Sequence, residues 1–130
     1  MDLDIDVSSP EAVYEQIVRQ IQLGVQLGKL APGMPLPSIR QFAGDLDLNP
    51  NTVAKAYKIL ENNRVIRTAG RKGTFISPDA ASHVDSRNRQ DAIYLTGQLV
   101  RGLLEKGLTA EQIKAAFASV IAATFSGEGK

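Results

Sequence analysis

The chain of 130 residues contains no cysteine, which excludes disulfides and thiolate chemistry and gives no sign of an exported protein. Histidine occurs once, at His83. One imidazole with Asp79 and Asp85 nearby offers too few ligands, at no recognised spacing, for a metal site. No apolar run approaches the ~20 residues that a membrane span needs. The first residues are acidic rather than basic, so no signal peptide is read there. Also missing are a Ser/His/Asp set, a phosphate-binding loop and paired carboxylates in an apolar setting. The expectation is a soluble cytoplasmic protein that is not an enzyme and carries no metal or cofactor.

Net charge is also small, +1, which taken alone argues against a nucleic-acid partner. Its distribution argues the other way. Residues 1–28 hold one base, Arg19, against five acids. Residues 29–74 hold eight bases against three acids, a local net of +5. From 75 onward the signs balance at six each. Phosphate neutralisation requires such a concentrated positive field.

The positive field falls on the most patterned stretch, Leu36 to Ile76. Ser38 opens a helix with Gln41 three residues on, a capping box, and Ile39, Phe42, Ala43 and Leu46 recur at helical spacing. Asn49 caps a second helix with Pro50 just inside. Val53, Ala56, Tyr57 and Leu60 form its buried stripe and leave Asn51, Thr52, Lys55 and Lys58 on other faces. Two β-prone runs, 65–68 and 74–76, flank Ala69-Gly70-Arg71-Lys72-Gly73, where the glycines supply turn conformations. Two helices and a basic-tipped hairpin predict a winged helix-turn-helix in a mainly α (α+β) fold.

Met1 to Val7 alternates acids with Leu3, Ile5 and Val7, as a short strand or an ordered arm would. Ser9 is read as the cap of a first helix, with Pro10 and Glu11 in its first turn, Tyr14, Ile17, Val18, Ile21 and Val25 facing inward, and an end at Gly28. The proline-rich segment from Pro32 to Pro37 reads as a fixed loop. The domain reading is a DNA-binding region over 1–77, a polar linker or helix start over 78–90, and two helices over 91–130. The first of these runs from Asp91 to Lys106 with a stop at Gly107. Thr109 and Gln112 form a capping box for the second. A two-helix hairpin cannot bury both apolar faces alone, so Leu95, Leu99, Leu103, Phe117, Val120 and Ile121 are the expected dimer interface.

The run Gly28-x-Leu30-x-Pro32-Gly33-x-x-Leu36-Pro37-Ser38-x-Arg40-x-x-Ala43, then Asn51-Thr52-Val53, Leu60-Glu61 and Gly73-Thr74-Phe75-Ile76, resembles the GntR family of bacterial transcription regulators. Met34 stands where that family usually has an acid, and Asn63-Arg64 replaces the common Glu-Gly before the wing. The short tail and Asn49-Pro50-Asn51-Thr52-Val53 resemble its YtrA-like subgroup, which implies dimerisation through the tail.

Together these readings imply a homodimeric regulator, expected to be a repressor, that binds double-stranded DNA at a pseudo-palindromic operator. A small-molecule effector of unknown identity is left open. The expected DNA contacts are Ser38, Arg40, Asn51, Thr52, Lys55, Tyr57, Lys58, Arg71, Lys72 and Gly73. Asn51 suits adenine and Thr52 a thymine methyl group or a phosphate. The resemblance supports Arg40 over a merely solvated arginine. Arg71 and Lys72 suit the minor groove or its phosphates. The competing reading is a winged-helix adaptor that binds proteins and has no operator.

Overall fold

A computed structural model describes residues 2–127 and divides the chain into two units, Met1–Asn88 and Arg89–Lys130. In the first unit the elements are α1 (Val13–Gln26), β1 (Pro35–Leu36), α2 (Ile39–Leu46), α3 (Pro50–Asn62), β2 (Ile66–Thr68) and β3 (Thr74–Ile76). A 3₁₀ turn, Gly70–Lys72, joins the last two strands. Helix α4 (Ala80–Glu105) begins in the first unit and ends in the second, which also holds α5 (Ala110–Thr124).

One apolar core accounts for the first unit. Ile17, Ile21 and Val25 from α1, Phe42 and Ala43 from α2, Val53, Ala56 and Leu60 from α3, and Val65, Ile66 and Ile76 around the wing are buried together. Burying each large aliphatic side chain contributes about 1.5–3 kcal/mol. Phe42 meets Tyr57 edge-on at 5.8 Å between ring centroids, which locks α2 against α3. Ala80 and Val84, one turn apart at the start of α4, add to the same core.

The two capping boxes form as the residues predict, Ser38 with Gln41 and Thr109 with Gln112. Elsewhere the structure departs from the expectations. Helix α1 starts at Val13, and its N-cap, Ala12, makes no side-chain cap bond. The Ser9 hydroxyl accepts from the Glu11 N–H within a bend outside the helix. Gln16, nearly fully buried, explains the late start: its side-chain amide donates to the carbonyls of Asp6 and Glu11 and its oxygen accepts from the Asp6 N–H. Gln20, one turn on, exchanges the same pair of bonds with the Asp4 backbone. Residues 2–7 are therefore an ordered arm and not a strand, with Leu3 and Ile5 packed on the core.

The loop from Pro32 to Pro37 contains a two-residue strand. Pro35 pairs with Phe75 and Leu36 with Thr74, giving an antiparallel sheet in the order β1-β3-β2. A proline is tolerated at such an edge because no ladder N–H is needed from it. The polar segment 78–90 proves to be a helix start, since α4 runs from Ala80 and not from Asp91. Among the described residues no helix is long and apolar enough to cross a membrane.

Candidate nucleic-acid interface

Helix α3 has two faces set by its 3.6-residue period. Val53, Ala56, Tyr57 and Leu60 are buried. Asn51, Lys55, Lys58 and Asn62, at i, i+4, i+7 and i+11, are all exposed. The Asn49 side chain accepts from the Asn51 N–H at 2.8 Å, which fixes the N-terminus of the helix with the Asn51 side chain outside. Thr52 is half-buried.

Helix α2 begins beside this face. The Ser38 hydroxyl accepts from the Gln41 N–H at 3.1 Å, and Arg40, exposed, follows two residues later. Tyr57 connects the two helices: its hydroxyl donates to the Pro37 carbonyl at 2.7 Å. Burial pushes the phenol's pKa well above its ordinary value. The hydroxyl of Tyr57, one of the expected DNA contacts, is thus engaged within the protein, where it braces the start of α2.

The wing stands opposite. The Ala69 N–H donates to the Gly73 carbonyl at 2.8 Å and closes the tip. Gly70 at φ 57° and Gly73 at φ 103° take conformations that side chains resist. Arg71 and Lys72 are carried exposed between them.

Between α2, α3 and the wing lies an open groove of about 630 Å³. Of the expected residues it gathers Ser38, Tyr57, Lys58 and Gly73, together with Gln41, Asn62, Thr68 and Thr74. Arg40, Asn51, Thr52, Lys55, Arg71 and Lys72 do not line it. Gln41, Asn62, Thr68 and Thr74 are not among the expected contacts. Helical spacing carries the exposed face of α3 on from Lys58 to Asn62. Strand alternation with buried Ile66 places Thr68 on the face of the sheet that lines the groove.

Electrostatics distinguish these bases from others in the chain. Arg19 is held by both Glu11 oxygens, at 2.9 and 2.8 Å, and Glu11's pKa is lowered by that hydrogen bonding. Arg40, Lys58, Arg67, Arg71 and Lys72 are exposed and have no ion-pair partner among the described residues. No carboxylate lies within ion-pair distance of them among the described residues, although Glu61 lines the same groove as Lys58. His83 pairs with Asp79 at 2.9 Å, and no group of three metal-ligating side chains occurs among the described residues.

In the second unit the expected interface residues remain largely open. Leu95 is 61% exposed, Leu99 53%, Val120 61% and Ile121 54%. Leu103 and Phe117 are half-buried.

Comparison with known proteins agrees with this geometry. A profile described as bacterial regulatory proteins, gntR family, matches residues 12–76. The chain is 44% identical over 78 residues to the HTH-type transcriptional repressor YtrA of Bacillus subtilis, a match covering 60% of each protein. It is 32% identical over 111 residues to the HTH-type transcriptional regulator YhcF of the same organism, covering 85% of this chain and 91% of the relative. Among solved structures, a transcriptional regulator from Oenococcus oeni superposes with a TM-score of 0.70 at 37% identity, covering 90% of this chain and 97% of that one. The chain spans only about 60% of the length of some curated relatives, YtrA among them.

Proposed function

This chain belongs to the gntR family of bacterial regulatory proteins, and we propose that it is a homodimeric DNA-binding transcription repressor acting at a pseudo-palindromic operator. The observation that carries the reading is the exposed polar face of α3, set beside a wing and flanked by basic groups that have no ion-pair partner among the described residues. Each protomer inserts the N-terminal half of α3 into a major groove. There Asn51 and Thr52 meet base edges, Arg40 a base or phosphate, and Lys58 a phosphate. Arg71 and Lys72 reach the adjacent minor groove or its phosphates. The similarity to YtrA, itself named a repressor, supports repression.

Residues 91–130 are proposed as the dimerisation region because Leu95, Leu99, Val120 and Ile121 within them are exposed. Two-fold symmetry then sets half-sites about 10 bp apart centre to centre, or at a related spacing. An effector bound at the tail would act by altering the separation of the two α3 helices.

Selection of bound sequences from a random duplex pool at moderate salt tests the reading. An inverted repeat is the expected product, and its spacing measures the distance between the α3 helices. Failure to enrich any motif, together with salt-insensitive capture of another protein, would overturn it in favour of an adaptor.

A further inference from the structure

We infer that Tyr14 is a positioning residue for DNA binding: its ring holds Lys55 at the α1 edge of the recognition helix, where Lys55 clamps a phosphate and does not read a base. This deepens the DNA-binding reading and rests on it. The Lys55 ammonium lies 3.9 Å from the centroid of the Tyr14 ring, within the range at which the ring quadrupole attracts a cation. The two residues sit on different helices, and the packing of α1 on α3 fixes their relation. Tyr14 is half-buried and shares a hollow of about 220 Å³ with Val18 and with Ile59, one turn beyond Lys55.

The chemistry of this contact differs from that of an ion pair. A carboxylate would neutralise the lysine, as Glu11 does Arg19. A ring face leaves the whole positive charge and free N–H donors available to an incoming phosphate. It also limits the rotamers of a side chain that otherwise has many, so less entropy is lost when the duplex arrives. Direction matters as well. Lys55 shares the exposed face of α3 with Asn51 and Lys58, but its ammonium is drawn toward α1, which does not line the groove between α2, α3 and the wing. The wall of the major groove at that edge is sugar-phosphate, which carries no sequence information.

The test uses the full chain and the duplex recovered by selection, titrated over a series of salt concentrations. Lys55→Ala is expected to lower the log–log salt slope by about 0.9 and leave the selected motif unchanged. Tyr14→Leu is expected to weaken binding about two- to five-fold, the range of an exposed cation–π contact. Tyr14→Phe keeps wild-type affinity, and Tyr14→Leu adds little once Lys55 is alanine. A changed base preference in Lys55→Ala would overturn the inference, as would losses that multiply in the double variant. Lys55 is exposed, so its variant carries the test even if Tyr14→Leu fails to fold.

A measurement without DNA separates the inference from the reading beneath it. The Lys55 side-chain methylene protons in the free protein are expected upfield by ring current, and to return in Tyr14→Leu but not in Tyr14→Phe. Absence of the shift with intact duplex binding overturns the Tyr14 role alone. Presence of the shift in a protein that binds no duplex overturns the DNA reading, and this inference with it.

Discussion

In the first unit Ile17, Ile21, Val53 and Leu60 are fully hidden from solvent, whereas in the second Leu95, Leu99, Val120 and Ile121 each expose more than half of their surface. Both units place apolar residues at helical spacing. In the first, three helices and a small sheet close around one another and every large apolar stripe finds a partner within the chain. In the second, two helices have too little surface between them to do so; among its described residues only Ile113 is buried. The same periodicity therefore specifies a core in one unit and an unfinished surface in the other. An apolar stripe is buried where enough neighbouring elements pack against it, as in the first unit, and stays exposed where they do not, as in the second.

Leu99→Asp puts the contrast between the two units to its hardest test. If the tail is a dimer interface, one uncompensated charge there is expected to cost about 3–5 kcal/mol of association. The variant should sediment as a monomer while the first unit unfolds at its usual temperature. Persistence of the dimer would move the interface elsewhere. Next in size is Leu60→Ala, expected to cost about 2–5 kcal/mol of folding stability through the cavity it leaves. That loss should not depend on protein concentration. Leu99→Ala, measured on dilute monomer, should stay within about 0.5 kcal/mol. Equal losses from the two alanine variants would mean that the units do not differ in the way their exposures suggest.

A smaller effect probes how the core of the first unit supports its outer face. Tyr57→Phe removes the bond to the Pro37 carbonyl and is expected to cost about 1 kcal/mol in thermal or denaturant unfolding. It should also weaken duplex binding, because the start of α2 loses its brace. The pH dependence has a definite sign. Burial raises the folded-state pKa of Tyr57 above its ordinary 10.0, so its contribution is complete below pH 10 and is lost as pH rises further. Wild type should lose stability relative to Tyr57→Phe in that alkaline range. Parallel curves would show the phenol to be no better protected when folded.

Much of the first unit was legible because its signals are local. Ser38 with Gln41, and Asn49 with Pro50, fix helix starts through atoms a few residues apart. Ser9-Pro10-Glu11 and Ser77-Pro78-Asp79 show where local signals stop being sufficient. The two tripeptides are alike, yet α4 follows the second at once and α1 waits until Val13. The difference is tertiary: Gln16 takes backbone groups of Asp6 and Glu11 and draws the arm across the helix start. The strand at Pro35–Leu36 was hidden for a similar reason, since its pairing partner lies at Thr74 and Phe75. In α4, residues 85–90 are polar and exposed on every side; with no buried face there is no hydrophobic period to read. In the candidate site, the α3 face was legible as far as Lys58, and the contribution of the wing strands was not. Thr68 and Thr74 face the groove only because the hairpin folds back over α3.

Four helix ends stop in the same way. Gly28, Asp47, Arg64 and Gly107 all have positive φ, at 77°, 52°, 62° and 92°. At each, the next residue's N–H returns to a carbonyl five residues before it; for α3 the bond runs from Val65 to Leu60 at 2.9 Å. Two of the four positions are glycine, for which this conformation carries no steric cost. Aspartate tolerates it better than most residues, and arginine has no such excuse. Arg64→Gly is therefore expected to gain about 0.5–1 kcal/mol, the left-handed penalty less the greater backbone entropy of glycine. Asp47→Gly should gain less. Arg64 also helps to lower the Asp79 carboxyl pKa, as the smallest of several causes led by the His83 hydrogen bond. Arg64→Ala removes that charge but keeps the Cβ, and should gain nothing in urea unfolding. A stabilised alanine variant would place the cost in the charge, and the turn between α3 and the wing would then be unstrained.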